Sequence, residues 1–303
     1  MVVHAYYPLG ETRVEREALA LIDHGYEVDV ICLRGPTQPP TENENRVSIY
    51  RLPVRRHKYH GGTVQLLEYA VFFVLAFARL ASLHRRRRYA VVQIHNLPDF
   101  LVFAALIPKL TGSRLILDLH DLMPEFFAVR FNSSLSGWPV RLIRWQERLS
   151  CIFADHVITV TEAWRKTLIN RGVPAKKISV VMNVADGRIF RRASAIERPI
   201  ANDDCFRLIY HGNLSKRYGI NLAIRAVGLV RQHIRVRLTI HGSGPLLDEL
   251  QELTADMGLE GNIRFSTRLV PTQELATLIQ DADAGVVPYQ RDAFTDGILP
   301  TKL

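Results

Sequence analysis

The sequence predicts an α/β protein made of two doubly wound, parallel-sheet domains. Apolar runs of strand length alternate with segments whose apolar residues recur every three or four positions, which is typical of parallel strand–helix units. A polar stretch without periodic apolar residues separates two such halves. A chain of 303 residues is also longer than a typical single domain, which has about 100 to 200 residues. We therefore predict domains at 1–190 and 205–303, joined by a linker at 191–204.

The first half begins with a strand and continues as strand–helix units. Its predicted strands are VVHAYYP, YEVDVICLR, YAVVQIHN, RLILDLHD, ADHVITVTE and KISVVMNV. The helical segments VEREALALIDHG and DFLVFAALIPKLTG both end at glycine, a frequent helix terminator. Residues 35–62 are rich in proline, glycine and charge and contain one short extended piece, RVSIYRLPV. This order predicts a parallel sheet covered by helices.

The second half places glycines and cations where parallel sheets bind anions. Its predicted strands FRLIYH, RVRLTIH, NIRFS and AGVVPY are separated by three amphipathic helices. Ligands of such sheets lie outside the carboxyl ends of the strands, near helix N-termini with free N–H groups. The first turn, Gly212 to Gly219, contains Lys216 and Arg217 and no acid, and Gly242 and Gly244 follow the next strand. We predict a diphosphate site here; the alternative is an ordinary loop with solvated cations.

Positive charge is concentrated after one long apolar segment. The net charge is +9, and Arg85 to Arg88 follow LLEYAVFFVLAFARLASLH directly. Glu68 and Arg79 interrupt this segment, so it lacks the clean run of about 20 apolar residues that a spanning helix needs. We expect residues 66–88 to contact an anionic membrane surface; the alternative is a core helix followed by a solvated loop. The arginines are not interleaved with aromatic residues, and the sequence contains no motif of a known nucleic-acid-binding domain. We therefore expect no nucleic-acid partner.

Several classes of protein are disfavoured. Cys32, Cys151 and Cys205 are far apart and odd in number, which argues against a disulfide framework or a zinc site and favours a cytoplasmic location. The triplet Asp281-Ala282-Asp283 is expected to close a helix, and we predict no required metal or cofactor. Neither P-loop spacing nor a complete Gly-x-Gly-x-x-Gly pattern is present, which argues against an NTPase and an NAD-dependent oxidoreductase.

Six short motifs occur in a characteristic order: Gly10–Arg13, Ala154–Glu162, Val181–Asp186, His211–Leu214, His241–Pro245 and Ala282–Pro288. With them the whole chain resembles the retaining family 4 glycosyltransferases of the GT-B fold. The resemblance implies two Rossmann-like domains facing a cleft, with an acceptor-binding N-terminal domain and a nucleotide-sugar-binding C-terminal domain. It further implies sugar transfer with retention of configuration to a glycan or lipid-linked acceptor, in polysaccharide or cell-envelope assembly.

The resemblance also assigns roles to particular residues. It implies that His120, at the end of RLILDLHD, contacts the donor sugar, with Asp118 and Asp121 able to orient its ring, and that Asp296 lies near the position of a sugar-binding glutamate. Donor-binding residues by the same resemblance are Gly10, Gly212, Asn213, Lys216, Arg217, Gly242, Gly244 and Lys302. Asn213 and Tyr218 stand where the family usually has arginine and lysine, so Arg217 and Lys216 are expected to replace those cations.

The acceptor side and the end of the chain carry two further expectations. By the resemblance His95, Asn96 and Asp99 line the acceptor site, although an Asn-Leu-Pro turn capped by Asp99 explains them equally well. Asp296 to Leu303 is similar to the start of the family's two-glutamate segment. The resemblance implies that the second glutamate and the last strand–helix units are missing from this sequence and that the chain is inactive as it stands. The alternative function is a non-catalytic module that binds a nucleotide sugar or anionic lipid.

Overall fold

A computed structural model of the protein describes residues 1–8, 11–56, 62–191, 204–268 and 270–301. The chain divides into two compact units, Met1–Asn183 and Val184–Leu303. Most of the predicted linker, residues 192–203, lies outside the described residues. Each unit has an α/β fold, as the sequence predicts.

Unit 1 is built on an eight-stranded sheet. Its strands are β1 (Val2–Tyr6), β2 (Val28–Leu33), β3 (Thr41–Glu44), β4 (Val47–Leu52), β5 (Val91–His95), β6 (Arg114–Leu119), β7 (His156–Thr159) and β8 (Ile178–Val180). Their order is β3-β4-β2-β1-β5-β6-β7-β8, and every pair is parallel except β3 with β4. The carboxyl ends of β1, β5 and β6 therefore meet at one edge of the sheet.

Helices cover this sheet: α1 (Thr12–Asp23), α2 (Gly62–Arg87), α3 (Leu106–Leu110), α4 (Met123–Arg130), α5 (Trp138–Phe153) and α6 (Glu162–Asn170). The pattern described above leaves residues 122–153 unassigned, where the structure has α4 and α5. The predicted helix DFLVFAALIPKLTG is instead a 3-10 helix, Asp99–Ala105, followed by the short α3. Pro108 has no N–H to donate to an α-helical partner four residues back, so it fits only the first turn of a new helix.

The long apolar segment is helix α2, and it packs on the sheet. Phe72, Ala76 and Leu80 recur every fourth residue and are buried, and the helix contacts β1, β2 and β4. By length and composition α2 could cross a membrane, with a mean hydropathy of 1.8 over its most apolar 18 residues. Because one face of α2 is buried in unit 1, we describe it as part of the helical layer of that unit.

Unit 2 has a four-stranded parallel sheet. Its strands are β9 (Cys205–His211), β10 (Arg235–His241), β11 (Ile263–Ser266) and β12 (Ala284–Gly285), in the order β11-β10-β9-β12. Its helices are α7 (Ile220–Val230), α8 (Leu247–Asp256) and α9 (Thr272–Gln280). The predicted strand AGVVPY is therefore only two residues long. Pro288 cannot donate to a ladder, and the chain leaves the sheet before reaching it.

Candidate active site

A buried ion pair lies at the carboxyl edge of the unit 1 sheet. Asp118, on β6, is fully buried, and Arg13, at the start of α1, is 3% exposed. The Arg13 guanidinium donates to both carboxylate oxygens, with Nε 3.0 Å from Oδ2 and Nη2 3.2 Å from Oδ1. This two-pronged geometry is the strongest form of a charge-assisted hydrogen bond. Arg13 also donates from Nη1 to the backbone oxygen of Val181 at 3.2 Å, so it joins α1, β6 and the end of unit 1.

Two histidines share the same carboxylate. Nδ1 of His95 lies 3.1 Å from Asp118 Oδ2, and Nδ1 of His120 lies 3.9 Å from the same oxygen. The two rings stack with their centroids 6.0 Å apart. Burial alone would raise the pKa of Asp118, but the interactions with His120 and His95 hold that pKa well below its ordinary value.

His120 is the member of this group that reaches the surface, with 14% of its side chain exposed. Burial is the largest single influence and lowers the pKa of His120, but the interactions with Asp118, together with the charges of Glu11 and Asp121, outweigh it and raise the pKa to about 9. His120 is therefore a cation at neutral pH. A positively charged ring at the end of a strand can stabilise negative charge on a ligand oxygen or hold a proton there.

The predicted acceptor residues support the loop that carries His120. Oδ1 of Asn96 accepts from the backbone N–H of His120 at 3.1 Å and of Asp121 at 3.4 Å. Nδ2 of Asn96 donates to Asp99 Oδ1 at 2.9 Å and to the Asp121 backbone oxygen. His95, Asn96 and Asp99 are all buried, and burial raises the pKa of Asp99 to about 7. As described they contact protein groups, so direct contact with an acceptor stays a prediction.

The group His95, Asp118 and His120 also has the composition of a cation site. One ligand atom from each residue lies within 4.8 Å of the others. However, Arg13 already uses both oxygens of Asp118, and a metal ion there would face the guanidinium charge at short range. The donor set therefore fits a protonated histidine better than a metal ion.

In unit 2 the two glycine turns continue the parallel ladder beyond the strand ends. Backbone N–H groups donate from Gly212 to His241 at 2.9 Å and from Leu214 to Ser243 at 3.0 Å. A Cβ atom on Gly242 would lie 1.8 Å from the Gly212 oxygen, and one on Gly244 would lie 2.4 Å from the Leu214 oxygen. Close backbone approach explains these glycines without a ligand. That Gly212, Gly242 and Gly244 bind the donor nucleotide sugar stays a prediction.

The cations of the first turn differ in their surroundings. Lys216 is exposed at the start of a one-turn 3-10 helix, Lys216–Tyr218, whereas Arg217 is half-buried. The Arg217 guanidinium lies over the ring of Phe294, 5.2 Å from its centroid. Asn213 is exposed, and its backbone oxygen accepts from the Tyr210 hydroxyl at 2.7 Å. The structure thus presents Lys216 to solvent and ties Arg217 to the segment that contains Asp296.

Asp296 lies on a 3-10 turn, Thr295–Gly297, near the end of the described chain. Oδ1 of Asp292 organises this segment by accepting from the backbone N–H groups of Phe294 and Thr295 at 2.8 and 2.7 Å. Arg291 donates to both oxygens of Asp296, at 3.0 and 3.3 Å, and this lowers the pKa of the carboxyl. Gly10 and Lys302 lie outside the described residues.

The triplet Asp281-Ala282-Asp283 has a structural contact. Oδ2 of Asp283 accepts from the backbone N–H of Arg207 at 2.8 Å, and the backbone N–H of Asp283 donates to the Arg207 oxygen at 2.8 Å. Asp283 therefore ties the entry of β12 to β9. This contact agrees with the predicted role of the triplet at the end of a helix.

Sequence reasoning did not single out Arg13 as a site residue. One signal could have found it: the buried face of α1 consists of Arg13, Val14, Ala18 and Ile22. An arginine on the buried face of an amphipathic helix requires a buried acidic partner. Two carboxylates fill this role: Asp118, which is 105 residues away in the sequence, and Glu17, one helical turn along α1 with Oε1 3.1 Å from the Arg13 Nε.

Two α/β units with largely parallel sheets are the architecture of the GT-B class of glycosyltransferases, and similar solved structures have this fold. The chain belongs to the glycosyltransferases that combine a glycosyl transferase 4-like domain, matched by residues 10–184, with a glycosyl transferases group 1 domain, matched by residues 192–297.

Two curated relatives resemble the chain over most of its length. An uncharacterised glycosyltransferase of Methanocaldococcus jannaschii is 25% identical over 306 residues, covering 97% of this chain and 75% of that protein. The chitobiosyldiphosphodolichol beta-mannosyltransferase of Debaryomyces hansenii is 22% identical over 291 residues, covering 88% of this chain and 61% of that enzyme. The chain thus spans only part of the length of each.

Solved structures share the fold at low sequence identity. The catalytic domain of starch synthase IV from Arabidopsis thaliana, bound to ADP and acarbose, superposes with a TM-score of 0.69 at 13% identity, covering 96% of this chain and 78% of that one. Sucrose-phosphate synthase from Thermosynechococcus elongatus gives a TM-score of 0.68 at 18% identity, covering 93% and 70%.

Proposed function

We propose that the chain transfers a sugar from a nucleoside-diphosphate sugar, bound by unit 2, to a glycan or lipid-linked acceptor, bound by unit 1. The match to both glycosyltransferase domains in order carries this proposal. The starch synthase IV structure contains ADP, and the yeast relative is named for an acceptor linked to diphosphodolichol; both support the proposed substrates. Membership of a transferase family favours an enzyme over a non-catalytic binding module.

The unit 2 turn has the charge that a leaving diphosphate needs. Transfer builds negative charge on the phosphate oxygens, so groups that stabilise this charge accelerate the reaction. The exposed Lys216 offers an ammonium group, and α7 begins with Ile220 directly after the turn, so its N-terminus adds N–H groups and the positive end of a helix dipole. We assign the diphosphate to this turn and a sugar contact to the cationic His120, which Asp118 and Asn96 position.

Nucleotide binding tests the proposed donor site. We expect UDP, GDP or ADP to bind in an isothermal titration. Lys216→Ala is expected to raise the dissociation constant of the preferred nucleotide by roughly tenfold, as for loss of one charge-assisted hydrogen bond. Arg217→Ala is expected to weaken it as well. The matched control is Arg235→Ala, since Arg235 is exposed at the opposite end of β10 from the turns.

The titrations are made in the presence of EDTA, because we propose that no divalent cation is needed. Binding that requires added Mg²⁺ or Mn²⁺ would contradict the metal-free proposal. The proposed donor site at residues 212–219 would be contradicted if none of the three nucleotides bound. It would also be contradicted if Arg235→Ala lowered the nucleotide affinity as much as Lys216→Ala.

We further propose that transfer retains the anomeric configuration of the donor sugar, as the resemblance to retaining enzymes implies. The new glycosidic bond is expected to have the same anomeric configuration as the donor sugar, as determined by NMR from the signal of the product's anomeric proton. A product of opposite configuration would contradict retention and leave the assignment as a glycosyltransferase intact.

A further inference from the structure

Three helices of unit 1 form one adjacent layer. Helices α2 and α5 both pack against the 3-10 helix Asp99–Ala105, and α3 continues from that helix and contacts α2. On one side Phe73 of α2 meets Phe100 edge to face, with ring centroids 6.0 Å apart. On the other side Phe153 of α5 meets Phe103, with centroids 4.9 Å apart. The segment from Asp99 to Leu110 is therefore held between α2 and α5.

The solvent side of this layer is apolar. Ten exposed large hydrophobic residues lie beyond the first turn of α2 and on the other two helices: Leu66, Leu67, Val71 and Val74 on α2, Leu106 and Leu110 on α3, and Trp138, Leu142, Trp145 and Ile152 on α5. We call these ten residues the outer helical face. Trp138 is 77% exposed and Trp145 60%. Single exposed hydrophobics are common on soluble proteins, but here they recur at helical spacing on three neighbouring helices, which is typical of an interaction surface.

Among the residues that the structure describes, the helices of this layer expose basic and no acidic side chains, and two acids of neighbouring elements approach its edge: Glu27 lies 3.5 Å from Arg87 and Asp155 lies 3.3 Å from Lys109. Residues 62–112 and 122–153 contain four acids, and all of them are buried: Glu68, Asp99, Glu125 and Glu147. Each of them has an internal partner: Glu68 lies 3.0 Å from His4, Asp99 accepts from Asn96 at 2.9 Å, and Arg171 pairs with both Glu125 and Glu147. The exposed charges of the layer are basic, with Arg85, Arg86 and Arg88 after the apolar part of α2 and Arg141 and Arg148 on α5.

We propose that the outer helical face docks on an anionic lipid bilayer, with Trp138 and Trp145 at the headgroup level and the arginines on lipid phosphates. Exposed tryptophans beside aliphatic residues and arginines are the composition of an interfacial membrane helix. A symmetric contact with a second copy would instead bring arginines of one sign together. The sequence predicts a membrane contact for residues 66–88; the structure extends the surface to α5. This inference rests on the proposed function only through the lipid-linked acceptor.

Tryptophan fluorescence of the full chain tests the docking directly. The chain has three tryptophans, and Trp164, on α6, is 2% exposed and serves as an internal reference. Iodide is expected to quench Trp138 and Trp145 in buffer. Vesicles of phosphatidylcholine with phosphatidylglycerol are expected to shift the emission to shorter wavelength and to protect both from iodide, whereas pure phosphatidylcholine vesicles have a much smaller effect.

Matched variants separate the apolar from the ionic contribution. Trp138→Ser with Trp145→Ser is expected to lower the affinity for anionic vesicles by roughly tenfold or more, since two large apolar surfaces no longer leave water. The combined variant Arg85→Ser, Arg86→Ser and Arg88→Ser is expected to have a lower affinity for anionic vesicles and a weaker dependence of binding on salt. The control replaces Leu222 and Leu229 by serine, because both are exposed on α7 of unit 2.

Three results would overturn the proposal. One is absence of vesicle binding, and a second is binding that leaves Trp138 and Trp145 open to iodide. The third is protection from iodide that rises with protein concentration without lipid, which would assign the face to a second copy of the chain. Vesicle binding is measured without nucleotide sugar, so its failure and a failure of sugar transfer are distinguishable.

Discussion

Replacing Gly244 by alanine is expected to destabilise unit 2 by roughly 3 kcal/mol or more, because the added Cβ has no space. It would lie 2.4, 2.6 and 2.7 Å from the backbone O, N and C atoms of Leu214. These are backbone atoms held by the extended ladder, so they cannot rotate away as a flexible side chain would. The two glycine turns would have to separate, and with them the carboxyl ends of β9 and β10.

Chemical denaturation followed by circular dichroism measures this effect, and two other glycines provide the controls. A Cβ on Gly261 would meet nothing within 4 Å, so Gly261→Ala is expected to change the free energy of unfolding by less than about 0.5 kcal/mol. Gly258 has equal space but a φ of +60°, so its alanine variant isolates backbone strain of about 1 kcal/mol. A Gly244→Ala protein as stable as Gly261→Ala would contradict the described packing of the turns.

Asp118→Asn is expected to destabilise unit 1 by about 3 kcal/mol, because it removes the fully buried carboxylate of the ion pair and leaves the Arg13 guanidinium with Glu17 alone, 3.1 Å from Nε. Arg13 is 3% exposed and cannot turn to water without moving α1. The exposed pair of Asp23 and Arg46, 3.9 Å apart, is the control. Asp23→Asn is expected to change stability by less than about 1 kcal/mol. Equal stabilities of the two variants would contradict the buried ion pair.

Asp118→Asn is also expected to change how the free energy of unfolding depends on pH, because it alters the pKa of His120. The folded pKa of His120, about 9, is above its ordinary value of 6.5, so its stabilisation is fully present below pH 6.5 and is lost as the pH rises through 9. Asp118→Asn removes the charge that raises this pKa and should flatten that part of the profile. His120→Gln should flatten it too while keeping the ion pair of Arg13. Urea denaturation across this pH range measures the effect; an unchanged profile in both variants would contradict the His120 assignment.

Most of the fold follows from local sequence patterns, and the exceptions have physical causes. Apolar runs of strand length alternate with segments whose apolar residues recur every three or four positions, and this alternation predicts the parallel sheets. Helix α5 is not one of these exceptions, because its apolar and charged residues recur at helical spacing, with Val140 and Cys151 buried and Arg141 and Arg148 exposed. Its sequence contains the signal for a helix.

The candidate site was less accessible to sequence reasoning. The glycine turns could be located, because glycine after a strand and before a helix marks a turn. Which atoms they approach could not be predicted, since the contact between Gly242 and Gly212 joins two separate loops. Arg13 and Asp118 meet because of the order of strands in the sheet. Arg13 lies on the helix that follows β1, Asp118 lies on β6, and only β5 separates these two strands. No local pattern contains that information.

Asn96 has a consequence for the thermodynamics of ligand binding. Its amide oxygen and nitrogen hold the backbone of the loop at His120 and Asp121 from both sides. The conformational entropy of this loop is therefore lost when unit 1 folds, not when a ligand arrives. A ligand that meets His120 encounters a preorganised cation, so the interaction free energy is not reduced by the ordering of this loop. Asn96 thus transfers an entropic cost from binding to folding.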